Sequence, residues 1–186
     1  MRGMFTGNRG ILHTHDKHMG PALWRHRAWI CCTLSWQNRR RDVMSGRKWT
    51  ELFFLDEAVA MAAGHRPCAY CRRPAYNAFR DAWGGNRKAP EIDSILHKAR
   101  AVPGARALHS YQADAKTLPA GAFINADGFA LLTQDAMLPY SARGYGAPIK
   151  RPIGTVTVLT NQPMVDVLRG GYVPIIHPTA QTPLFT

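Results

Sequence analysis

Gly64-His65-Arg66-Pro67-Cys68-Ala69-Tyr70-Cys71-Arg72-Arg73 is the stretch on which the reading of this chain turns. Two thiols two residues apart on a tight turn converge readily on one ion, and thiolate is a preferred ligand of structural zinc. The same spacing also serves redox chemistry, where it is expected at the start of a helix that follows a strand. Here Asp56 to Ala63 reads as a short helix with Asp56 as its N-cap and Gly64 as its stop, so the motif follows a helix instead. No thioredoxin-like alternation of strand and helix surrounds it. Zinc is the better reading, and a four-coordinate site then needs two more ligands.

Upstream, Ala28 to Leu34 has the β-branched and aromatic content of a strand and carries the adjacent Cys31 and Cys32. Neighbouring residues of a strand point to opposite faces, so one ion takes one of the two. That argues for three cysteines and one histidine. The histidine would come from the Gly-, His- and Arg-rich segment 1–21, which reads as a loop or arm. His13 is the first choice there, with His15 and His18 as substitutes.

Between these ligands, Gln37 to Lys48 reads as a basic hairpin or loop, and Trp49 to Leu55 as a buried strand. Downstream, Pro74 opens a helix through Ala82, with Tyr76, Phe79 and Trp83 on one face and Gly84-Gly85 as its stop. Pro90 opens another, with Ile92, Ile95, Leu96 and Ala99 as its apolar stripe and Pro103-Gly104 as its end. Ala105 to Leu118 reads as a connector. Beyond Pro119 the pattern turns to strands: a hairpin around Ala126-Asp127, a Gly- and Pro-rich stretch from Pro139 to Gly154, and a strand from Thr155 to Thr160. Asn161 caps a helix from Gln162 to Arg169, and Tyr172 to Ile176 reads as a last strand. The expected class is α+β, with a unit over residues 1–104 and a smaller β-rich unit over residues 119–186.

The chain has 186 residues, enough to bury a core without help from disulfides or metal. Its four cysteines lack the regular spacing of a secreted disulfide scaffold, and no apolar run reaches the roughly 20 residues of a membrane span. A cytoplasmic protein without a membrane partner is expected. Charge is uneven: residues 1–50 carry ten basic and two acidic side chains, a net +8 of the total +12. A concentrated basic region favours polyanions, chiefly nucleic acid, with DNA as the first choice.

From Leu52 to Arg73 the sequence resembles the second half of the Ada metal-binding module of bacterial alkylation-response proteins. The matching positions are Phe53, Phe54, Glu57, Ala58, Ala63, Gly64, Arg66, Pro67, Cys68 and Cys71, with His65 where that module has an aromatic residue. The likeness covers about 22 of the 186 residues; the whole chain also resembles a group of small bacterial proteins that share this core. It implies an Ada-like zinc-binding N-terminal half with Zn2+ on Cys68 and Cys71. By analogy with related modules that use an upstream histidine, it implies Cys32 rather than Cys31, and His13, as the other ligands. Ada's paired upstream cysteines, its Pro-Cys-His-Arg acceptor motif and a helix-turn-helix are all missing here.

Three functional readings follow. In the first, zinc fixes the turn while Arg39, Arg40, Arg41, Arg47, Lys48, Arg66, Arg72 and Arg73 contact phosphates. Trp24, Trp29, Trp36 and Trp49 lie among these charges; Trp29 and Trp49, in apolar runs, are better read as core. In the second, the chain is a metal-dependent DNA-processing enzyme, either an HNH-type nuclease using His97 and Asn86 or a zinc-thiolate alkyl acceptor. Asp56 and Glu57 are carboxylates of the right type for acid–base work but are more simply helix-start residues. In the third, zinc is structural and the C-terminal half binds a protein through Tyr140, Tyr145, Tyr172 and His177. A binding protein is preferred to an enzyme.

Overall fold

The structure, a computed structural model, describes residues 2–38, 42–45, 48–105 and 107–181. The chain is α+β, with four α-helices and two sheets among the described residues. The first sheet has the order β3-β1-β2-β4, formed by β1 (Phe5–Asn8), β2 (Ile30–Thr33), β3 (Leu52–Phe54) and β4 (Arg66–Pro67). β1 runs antiparallel to β2 and β3, while β4 lies parallel to β2 with Cys31 opposite Pro67. A parallel pair needs a crossover, and α1 (Glu57–Ala62) supplies it between β3 and β4.

Asp56 starts α1 by accepting the Val59 N–H, and Gly64 ends it with φ +83°. A side chain at Gly64 would meet the Arg100 stem at 2.5 Å, so position and conformation both require glycine there. α2 (Arg73–Trp83) opens on Pro74 and buries Tyr76 and Phe79. α3 (Ala89–Arg100) buries Ile92 and Leu96, but also Asp93 and Arg100, which its apolar stripe did not reveal.

β1 corrects the expectation of an N-terminal arm. Phe5-Thr6-Gly7-Asn8 has little strand character of its own, yet it is an inner strand because partners on both sides supply its ladder. Gly7 belongs there because a Cβ would collide with the Phe54 ring.

The second sheet is antiparallel, in the order β10-β8-β7-β6-β11-β5, with β9 on β8. Its strands are β5 (Tyr111–Asp114), β6 (Phe123–Asn125), β7 (Phe129–Leu132), β8 (Ala136–Ser141), β9 (Gly144–Tyr145), β10 (Ile149–Lys150) and β11 (Thr155–Val158). The hairpin at Ala126-Asp127 is present, with Asp127 at φ +56°. α4 (Gln162–Arg169) follows, capped by Asn161. Two segments are more ordered than expected: the connector contains β5, and the Gly- and Pro-rich stretch contains the second half of β8, and β9 and β10.

Tyr172 to Ile176 is not a strand. Pro174 and Pro178 remove donors, and the Ile175 and His177 N–H groups bond the carboxylates of Glu57 and Asp56 instead of a neighbouring strand.

The largest apolar cluster joins Met61, Phe79, Ile92 and Leu96 to Ile124, Leu132, Val158, Met164 and Leu168. Fully burying a side chain of this size contributes about 1.5–3 kcal/mol. The core thus runs across the expected break between residues 104 and 119.

Candidate metal centre

Cys32 leaves β2 on one face and Cys31 on the other, as strand alternation requires. Cys31 is fully buried among Phe5, Phe54 and Ala60, and its sulfur receives Arg72 Nη1 at 3.4 Å. β4 brings the turn beside Cys32: the Cys68 N–H bonds the Cys31 carbonyl at 2.9 Å, which extends the parallel ladder to the first thiol of the motif. The sulfurs of Cys32, Cys68 and Cys71 then lie within 4.8 Å of one another and could hold a metal ion.

The donor set suits that role. A tetrahedral ion with bonds near 2.3 Å places its sulfurs roughly 3.8 Å apart, so a contraction of at most about 1 Å completes the geometry. Cys32 and Cys71 are buried and Cys68 is half-buried, so only one edge of the group faces solvent. The contacts within the group favour the thiolate form of Cys68 over that of Cys32. The Cys32 and Cys71 thiols bond its sulfur, the Tyr70 N–H adds a contact at 3.4 Å, and its pKa is drawn far down. The Cys32 thiol is pushed strongly up by the same contacts with Cys68 and Cys71 and by burial. A bound cation would displace the protons that these groups now share.

The local order around the motif is strand, turn, helix, since β4 precedes it and α2 follows. That order would also suit redox chemistry, so position alone does not decide between the two uses. The third thiol favours a metal. Redox chemistry at a CxxC pair has no need of Cys32, whereas metal binding does.

No histidine belongs to the group. His13 has its Nδ1 2.6 Å from Thr50 Oγ1. Thr50 precedes β3 at the end of the sheet away from the thiol turn, so the structure does not bring His13 to the cysteines. His15 is exposed beside Asp16, and His18 is exposed. The stretches outside the described residues contain no Cys, His, Asp or Glu side chain that could add a ligand.

Arg66 and Arg72, expected to contact phosphates, are both buried. Arg66 pairs with Asp93 through Nε and Nη2, each at 2.7 Å, and donates to the Pro67 carbonyl. Arg72 pairs with Glu57 at 2.8 Å. Both arginines are structural, bracing the turn from either side, and neither offers a free guanidinium to a ligand. Arg73 and Lys48 are exposed, while Arg39, Arg40, Arg41 and Arg47 lie outside the described residues.

Asp56 and Glu57 are fully engaged. Asp56 also accepts the Tyr145 hydroxyl at 2.7 Å, and Glu57 accepts the Tyr172 hydroxyl at 2.6 Å. His97 packs edge-on against Trp24 and Trp29, and Asn86 accepts from Arg80, so each has an ordinary packing role. Trp29 is fully buried, as expected. Tyr145 and Tyr172 are buried, and Tyr140 packs on Phe123 and Tyr145.

Residues that local sequence concealed surround His65. Its ring lies 4.7 Å from Phe54 and 5.7 Å from Trp29, fully buried, and Arg9 Nε donates to its Nε2 at 3.2 Å. Burial, with Arg9 and Arg100 nearby, holds its pKa well below the usual histidine value, so it is a neutral ring in an aromatic position. No helix is long and apolar enough to cross a membrane among the described residues. Comparison with protein-family models, with curated proteins and with solved structures returned no match.

Proposed function

We propose that this chain is a zinc protein that binds nucleic acid, with DNA the first choice, and that the ion organises the basic loop beside it. Cys32, Cys68 and Cys71 would supply three thiolates to the ion, with the exposed edge of the group open to a fourth ligand. The observation that carries the reading is the contact of Trp36 with Tyr70, ring centroids 5.6 Å apart. Tyr70 sits between the two thiols of the turn and is exposed; Trp36 stands four residues after Cys32 at the root of the loop that carries Arg39, Arg40, Arg41, Arg47 and Lys48. Trp36 therefore touches the thiol turn with two residues left in sequence before the first of these basic positions, and exposed Arg73 adds charge beside that turn. All four cysteines are free, which suits a reducing compartment such as the cytoplasm. The Ada-like likeness of residues 52–73 accords with a zinc turn of this kind.

Titration with single-stranded and duplex DNA and with RNA at several salt concentrations tests the reading. Affinity should fall steeply with salt, and the triple variant R39A/R40A/R41A should flatten the slope by about 0.9 per lost contact on duplex DNA. Binding that ignores salt, or that survives the triple variant unchanged, would refute it.

A second reading rests on Cys68 being the most accessible thiol of the group and the favoured thiolate. Its sulfur would take an alkyl group from an alkylated DNA phosphotriester, leaving the phosphodiester anion behind. Intact-mass measurement after incubation with methylated DNA tests this by a gain of one methyl group on Cys68.

A further inference from the structure

At the opposite end of β2 from the thiols, a cavity of about 610 Å3 opens between the segment 24–27 and the C-terminal half of α3. Its walls include Trp24, Arg27, Ser94, His97, Lys98 and His109, and no carboxylate. Ser94 and Lys98 are one turn apart on α3 and so share a face. A smaller cavity of about 230 Å3 adjoins it, and Trp24 lines both.

The backbone around the cavity is fixed from behind. Arg100, fully buried under Trp29, donates to the Arg27 carbonyl at 2.5 Å, and the Arg100 carbonyl accepts the His109 N–H at 2.9 Å. Arg27 is thus held by its main chain while its side chain is exposed, and neither Arg27 nor Lys98 has a carboxylate partner among the described residues. Behind the cavity, Trp29 packs against Trp24 and His97 and is itself held by Arg9 and Arg100, at 4.0 and 4.1 Å from its ring. Burial and the charges of Arg100 and Arg27 hold His97 below its ordinary pKa, which leaves a neutral ring able to hydrogen-bond. The C-terminal end of α3 opposes an anion, but two of its last four carbonyls are engaged: that of His97 by the Ala101 N–H and that of Arg100 by the His109 N–H. Two unpaired full charges outweigh that residual dipole.

We propose that this cavity binds one nucleotide unit, its base against Trp24 and its phosphate on Arg27 and Lys98. The combination of an indole, two unpaired cations, two imidazoles and a hydroxyl matches an aromatic ligand that carries an anion, and the volume is that of a small-ligand site. The unit comes either free or as part of a single strand. No described residue of 37–48 lines the cavity, and the proposal does not rest on that segment's role.

Calorimetric titration of the full chain with adenosine 5′-monophosphate, a short single-stranded oligodeoxyadenylate and inorganic phosphate tests it. R27S/K98S changes only exposed side chains, and W24F removes the indole while keeping an aromatic ring. Saturable binding of the monophosphate that R27S/K98S weakens about tenfold or more, and W24F weakens measurably, supports a site for free nucleotides. The same dependence for the oligonucleotide alone supports a strand site. Because R39A/R40A/R41A should leave both dependences intact, failure of the loop's role remains distinguishable from failure here. If neither ligand responds to R27S/K98S, or if inorganic phosphate binds as tightly as the monophosphate, the proposal is overturned.

Discussion

Arg66 holds Asp93 through two parallel hydrogen bonds of 2.7 Å in a place where neither side chain meets solvent to any useful degree. The pair joins β4, which leads into the thiol turn, to α3, which packs in the main core. Asp93→Ala would leave a buried guanidinium without its counter-ion, and breaking such a pair costs about 3–5 kcal/mol. Urea denaturation should show that loss, whereas R66M/D93L should recover most of it. A D93A protein within about 1 kcal/mol of the parent would contradict the role assigned to the pair.

Asp56 and Glu57 tie the C-terminal segment to the start of α1. Tyr145→Phe removes a hydrogen bond to the Asp56 carboxylate and should cost about 1.5–3 kcal/mol. Asp56→Ala should cost more, because the Val59 cap and the His177 N–H contact go with it. Limited proteolysis should then cut D56A between residues 172 and 181 faster than Y145F, and equal rates would sink this assignment.

His65 makes the fold acid-sensitive. Its folded-state pKa lies well below 6.5, the unfolded value, so the unfolded chain binds more protons as pH falls through that range. The stabilisation from neutral His65 is complete above about pH 6.5 and declines below it by about 1.4 kcal/mol per pH unit until the folded-state value is reached. His65→Phe should reduce the slope between about pH 6.5 and 5 relative to the parent, contributions from other groups being common to both. Identical slopes would show that the buried ring does not titrate on unfolding.

Cys31 and Cys32 should behave oppositely. Burial pushes the Cys31 thiol up to about 12, so it is a core thiol that receives Arg72 and takes no part in the metal group. Cys32→Ala should abolish metal binding, while Cys31→Ala should keep one ion per chain with a modest loss of stability from the small cavity. The reverse outcome would place the ion on the other face of β2.

Much of this fold is written locally. Asp56, Pro74 and Asn161 mark helix starts, and Gly64, Gly84 and Gly170 mark stops, because caps act through neighbours in sequence. That one ion takes only one of Cys31 and Cys32 is equally local, since it follows from strand alternation, whereas which of the two depends on the face the turn approaches. What escaped a local reading depends on distant partners. β1 is a strand because β2 and β3 flank it, and β5 because β11 does. Arg66 and Arg72 look like free cations until Asp93 and Glu57 arrive from elsewhere in the chain. His13 lies in the right stretch for a ligand, yet Thr50 holds it at the wrong end of the sheet.

The most direct measurement is elemental analysis of protein purified without added metal. One zinc per chain, retained in C31A and lost in C32A and Cys68→Ser, is the predicted result. Folded protein with a stoichiometry near zero, unchanged after incubation with zinc, would contradict the assignment of Cys32, Cys68 and Cys71 as a metal centre.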